Sequence, residues 1–150
     1  MNSKEKTLLH IRRVAELMGD SAQEIIRRGT AHDASKLTSG ELGPLAEMDA
    51  LIARDGNVPF GSEAYEQRRT MLGPMLDHHY AHNSHHPEHY HNGVSGMCLF
   101  DVVEMLMDWK AASERGEQSS IGMEAAFARF GIHGQLADVI RNTVERRGWE

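Results

Sequence analysis

The stretch HHYAHNSHHPEHYHNG, residues 78–93, holds seven of the chain's ten histidines. Imidazole is the commonest side-chain metal ligand, and it also moves protons near neutral pH. If residues 78–86 are helical, they form two stripes. His78, His82 and His85 make one; His79, Asn83 and His86 make the other. Either sets imidazoles at i, i+3 or i+4, and i+7, the spacing of metal ligands on one helix face. A solvated face has little reason to use histidine so densely, because it is not a strong helix former. The competing reading is a polar loop. The preferred inward stripe is His79, Asn83 and His86, with His85 beside it, and His78 and His82 face outward or support it. Pro87 is expected to end this helix, placing His85 and His86 among C-terminal carbonyl dipoles that favour a cation.

Three other places offer matching chemistry. AHDASK sets His32 and Asp33 side by side, an imidazole nitrogen next to a hard carboxylate oxygen. That pair suits Zn, Mn, Fe, Co or Ni better than Ca, which prefers oxygen ligands throughout. Lys36 follows Asp33 by three positions, on the same side of a helical turn, where a cation can hold a phosphate oxygen. Asp101, Glu104 and Asp108 line one face of an amphipathic segment, opposite Leu99, Val102, Val103 and Leu106. Asp108 borders Met105 and Ala112, near the core boundary, where a carboxylate needs a partner. His10 lies at the edge of an apolar helical arc; taken singly, it is an ordinary, partly buried histidine. A bare His-Asp pair and an exposed acidic stripe are also common by chance.

The elements that must position these groups read as helices throughout. In residues 6–29, Ile11, Val14, Leu17, Met18 and Ile25 recur at the helical period, with Gly29 as the stop. A short segment, a modest helix over 41–54 and a loop DGNVPFGS follow. A longer helix is expected from 62 to about 86, kinked at Gly73-Pro74. Residues 98–116 form a strong amphipathic helix ending near Gly116. Two shorter helices follow, over 120–131 with Ser119 or Ser120 as N-cap, and over 133–148. No strand pattern, repeat or linker stands out. The expectation is an all-α fold, one domain over residues 1–150 with about six or seven helices.

Composition narrows the function. The formal net charge is −6, which argues against duplex nucleic acid, since that needs a basic footprint. It allows a small phosphorylated ligand, because a metal and a few cations can reverse the field in one cleft. The single cysteine, Cys98, excludes an intrachain disulfide and a Cys-based zinc finger. The start, MNSKEKTLLHIRR, lacks the apolar core of a signal peptide, and no apolar run approaches the roughly 20 residues of a membrane span. The expectation is a cytoplasmic protein with no membrane partner. Nine methionines and the apolar positions of the C-terminal helices allow a homodimer face, which core packing explains equally well.

Taken in order, His10, the His32-Asp33 pair, the histidine-rich helix and Asp108 resemble the HD-domain superfamily of metal-dependent phosphohydrolases. HDASK is similar to its HD-x-x-K variant, and EMLMDWKAA to its final Asp helix, a register that implies Asp108 rather than Asp101 as ligand. HHPEH and EMxxDWxAA are similar to motifs of a small phage and bacterial family of this type, over most of the chain. The Gly-Tyr-Pro of the branch that cleaves cyclic dinucleotides is missing. The resemblance implies a metal held by His10, His32, Asp33 and Asp108. It implies that histidines of 78–86 either bind a second ion bridged by Asp33, with His79 and His86 as ligands, or contact phosphate through His79 and His85. Lys36 would hold phosphate, and Glu104, Glu41 or a further histidine would be general acid or base. The implied activity is hydrolysis of a small phosphorylated substrate, a nucleotide or deoxynucleotide, with water activated by the metal. A di-iron oxygenase of the same fold and a non-enzymatic metal- or nucleotide-binding module are the alternatives. An iron-dependent absorption band with oxygen uptake marks the first, and ligand binding without turnover marks the second.

Overall fold

The computed structural model of the chain describes residues 1–59, 62–115 and 121–149. Among the described residues there are seven α-helices and no strand, so the fold is all-α as expected. Contacts group the chain into two units, Met1–His32 and Asp33–Glu150.

The first unit is one helix, α1, Ser3–Ala31. Asn2 starts it with a capping box: its side chain accepts from the Glu5 amide at 3.0 Å, and the Glu5 carboxylate accepts from the Asn2 amide at 2.8 Å. Gly29 does not stop the helix. A glycine inside a helix costs about 1 kcal/mol relative to alanine, which so long a helix absorbs. The break comes later, where His32 leaves the helical region (φ −50°, ψ 128°) and Asp33 enters the left-handed one (φ 54°, ψ 19°).

The second unit opens with a 3-10 turn, Ala34–Leu37, and then α2, Ser39–Asp55. The single helix expected over 62–86 is two helices. Ser62 caps α3, Glu63–Met71, by accepting from the Tyr65 amide at 3.1 Å. The chain breaks at Leu72 and restarts as α4, Gly73–His82. Pro74 lacks the amide that continuation requires, yet it fits the first turn of a new helix. α4 ends at His82, short of the expected 86. The Asn83 side chain donates to the His79 carbonyl at 2.8 Å, taking the place of the next backbone bond, and Asn83 itself is extended. Pro87 therefore opens a 3-10 turn, Pro87–His89, instead of ending a helix. His85 and His86 are not on the last turn of a helix, and the dipole argument for them falls.

After a further 3-10 turn, Gly93–Gly96, come α5, Leu99–Ser113, α6, Met123–Phe130, and α7, Gly134–Arg147. The expected stop at Gly116 and the caps Ser119 and Ser120 lie outside the described residues. α6 and α7 each end in a left-handed glycine, Gly131 (φ 65°) and Gly148 (φ 63°), conformations that suit a residue without Cβ. Met105 and Leu106 of α5, Phe127 of α6, and Ala137, Ile140 and Val144 of α7 form one apolar core with Ile132. Val102 and Trp109 pack against it. Leu99, expected on this face, is 72% exposed, because the core begins a turn further on.

Candidate metal centre

The other side of α5 meets a different kind of interior. The buried polar side chains of the described residues are Glu41, His79, Asn83, His85 and Asp101. Buried polar groups persist only when they are hydrogen-bonded, so each one calls for its partners.

Glu41, in the first turn of α2, is fully buried. Its two oxygens lie 2.8 Å from Nδ1 of His78 and 2.8 Å from Nδ1 of His79, neighbours on α4. Burial pushes the Glu41 carboxyl up, but hydrogen bonds from His78, Ser35 and His79 outweigh that and hold it below its ordinary value. An ionised carboxylate only accepts, so Nδ1 of His79 carries the proton and donates. Its Nε2 then presents a lone pair. Asn83 steadies the ring's surroundings, donating to Ser35 Oγ at 2.7 Å as well as to the His79 carbonyl.

His85, in the turn after α4, repeats the device. Its Nδ1 lies 3.1 Å from Glu104 Oε1 on α5, which directs Nε2 the other way. Both rings aim at Asp33. Asp33 Oδ1 is 3.4 Å from His79 Nε2 and 3.5 Å from His85 Nε2, and Lys36 Nζ holds Asp33 Oδ2 at 2.6 Å. His86 completes the group, its Nε2 2.9 Å from that of His79. One ligand atom from each of Asp33, His79, His85 and His86 lies within 4.8 Å of the others.

Lone pairs of two imidazoles and a carboxylate converging at such distances repel unless a cation or a proton sits among them. Two ligand atoms on one ion, each about 2.0–2.2 Å from it, lie roughly 3 Å apart. The cluster therefore has donor types and spacing compatible with a metal ion. The carboxylate behind each of two rings is the support that metal-binding imidazoles characteristically have. His86 is driven down to about 3, chiefly by burial and then by the neighbouring His85 and His79, so it is neutral, as a ligand must be. Asp33 sits in the left-handed region, which aspartate tolerates at modest cost; such strained positions cluster at functional sites.

The remaining predicted residues fall as follows. Asp108, half-buried on α5, offers an atom within 4.8 Å of one on His85. Glu104 stands behind His85. Lys36 is paired with Asp33 on the 3-10 turn. His10 lies in α1 and His32 caps its end, both in the first unit, whereas Asp33 and Asp108 belong to the second. The two histidine stripes do not follow one helix. His78 is half-buried and reaches Glu41, and His82 is exposed, stacked on His78 with ring centroids 4.1 Å apart. Asp101 is no exposed acid. Burial raises its carboxyl, but donors from Ser84, the Cys98 amide and Tyr90 hold it well below the usual carboxylate range.

Glu41 as the clamp on two histidines escaped the sequence reading, which named it only as an acid or base. It is one of 22 acidic residues, far from His79 in sequence, and no local spacing marks it. Ser35, Ser84 and Tyr90 escaped for the same reason.

No helix of the described residues is long and apolar enough to cross a membrane. Nothing matched the chain among curated proteins or among solved structures. A model of the family of unknown function DUF5662 matches residues 1–146, and the chain belongs to that family.

Proposed function

We propose that the chain is a metal-dependent phosphohydrolase acting on a small phosphorylated substrate, a nucleotide or deoxynucleotide. The observation that carries this reading is the cluster of Asp33, His79, His85 and His86, with Glu41 and Glu104 behind two of its rings. His79, His85, His86 and Asp33 would hold a divalent transition ion (Mn, Fe, Co, Zn or Ni), and a second ion would draw on Asp108, close to His85. When bound, such an ion polarises a phosphoryl oxygen and makes water a nucleophile near neutral pH. The resemblance of HDASK and EMLMDWKAA to HD-domain phosphohydrolases supports phosphate as the group acted on.

The chain's own residues have distinct tasks. Glu41 fixes the tautomer of His79, and Glu104 that of His85, so that both Nε2 atoms face inward without reorganisation. Lys36 neutralises one oxygen of Asp33 and, 38% exposed, can reach an entering phosphate. Glu104, expected as a general acid or base, stands behind His85, where it orients that ring.

Elemental analysis of the purified protein, followed by a phosphate-release screen over nucleotides with Mn, Co, Fe and Mg, tests this. Bound transition metal and metal-dependent release are expected. Metal without release from any nucleotide would contradict the hydrolase reading. An iron-dependent absorption band with oxygen uptake would replace it by a di-iron oxygenase.

A further inference from the structure

Beside the cluster lies a cavity of about 490 Å³, within the roughly 300–1,000 Å³ typical of small-molecule sites. His86 is part of its wall, so the cavity adjoins the candidate metal centre directly. Three of its other wall residues are aromatic, Tyr80, Trp109 and Phe130. The Tyr80 ring lies 5.2 Å from that of His86, and Trp109 and Phe130 lie almost parallel, 7° apart, with centroids separated by 6.1 Å. Gly122, Ala125 and Ala126 also line it, residues too small to fill the space. Arg129 stacks over the Phe130 ring at 4.9 Å and pairs with Glu88 at 2.9 Å, and both line the cavity.

A cavity with aromatic side chains in its wall suits a flat ring, because stacking tolerates any π surface. The Arg129–Glu88 pair sets donors and acceptors side by side in its wall. A plain hydrocarbon ring would cover these charges without bonding them, whereas a ring with nitrogen and carbonyl or amino edges can satisfy both. We propose that this cavity is a subsite for a flat heteroaromatic ring of the substrate, held by Tyr80, Trp109 and Phe130 and oriented by Arg129 and Glu88. The assignment rests on the proposed hydrolase reading for the group that enters the cluster, but not for the ring.

Equilibrium dialysis with adenosine, which carries the ring without a phosphate, separates the two. Wild-type protein should bind adenosine saturably and ribose not at all. Ala125→Phe, an exposed helix position on the cavity wall, should weaken adenosine binding about tenfold or more, the scale of one lost base stack, with metal content unchanged. If Ala125→Phe loses helical content, Ala126→Leu carries the same expectation. No saturable adenosine binding, or binding unaffected by a folded cavity-filling variant, overturns the subsite. Phosphate release from ribose 5-phosphate and adenosine 5′-monophosphate at equal rates, without adenosine binding, also overturns it and leaves the hydrolase reading standing. Adenosine binding lost on cavity filling, with no phosphate release from either compound, keeps the subsite and removes the hydrolase.

Discussion

The two interiors of the second unit are built on opposite principles. Between α5, α6 and α7 the buried residues are all apolar: Met105, Leu106, Phe127, Ile132, Ala137, Ile140 and Val144. Around α2, α4 and the turns that flank them, four buried side chains are polar, Glu41, His79, Asn83 and His85, and two are apolar, Met75 and Pro87. Apolar burial stabilises at roughly 25 cal/mol per Å². Buried carboxylate–imidazole pairs contribute little net stability, since desolvation offsets most of their attraction. A fold selected for stability alone would fill α4's inner face with leucine. The contrast says that the apolar half carries the fold and that the polar half is where the proposed chemistry belongs, with α5 touching both.

The contrast can be broken from either side. The largest effect is expected from Asp33→Ala, which removes the carboxylate on which His79 and His85 converge. It should abolish metal-dependent turnover while circular dichroism stays near wild type, and full retained activity would reduce Asp33 to a turn residue. On the apolar side, Ile140→Ala should cost about 2–5 kcal/mol in denaturant unfolding, with metal stoichiometry of the folded protein unchanged. Metal loss without destabilisation would mean that the halves are not separable in this way. Glu41→Gln should weaken metal binding by about 10–100-fold, as loss of a supporting carboxylate typically does; an unchanged affinity would leave Glu41 a merely structural pair.

The smallest effect concerns Asp101, which pins α5 through Ser84, Tyr90 and the Cys98 amide. Its pKa is depressed in the folded state, so its contribution is present above the unfolded carboxylate value of about 4 and is lost as pH falls through the lower folded value. Asp101→Asn should therefore flatten the acid limb of a stability–pH profile below about pH 4. A profile parallel to wild type there would show that this carboxylate is not coupled to folding.

What the sequence disclosed follows the same division. The apolar periodicity of 98–116 and 133–148 is a local signal, and it placed α5 and α7 within a few residues, though it overextended the core to Leu99. The polar half depends on bonds between distant residues. The end of α4 is set by the Asn83 side chain on the His79 carbonyl, which helix periodicity cannot register. His79 and His86 meet because the chain turns after His82, not because they share a stripe. The density of histidine was legible, whereas the Glu41 clamp, coming from another helix, was not.

The central claim is that the imidazoles gathered at Asp33 bind metal and those of His78 and His82 do not. Cobalt titration of metal-free protein, followed by its visible absorption, tests it with paired substitutions. His79→Ala with His86→Ala should weaken cobalt binding at least about tenfold, the scale on which even a supporting residue acts, and His78→Ala with His82→Ala should weaken it much less. The reverse ranking, or equal binding by both pairs and wild type, would contradict the account.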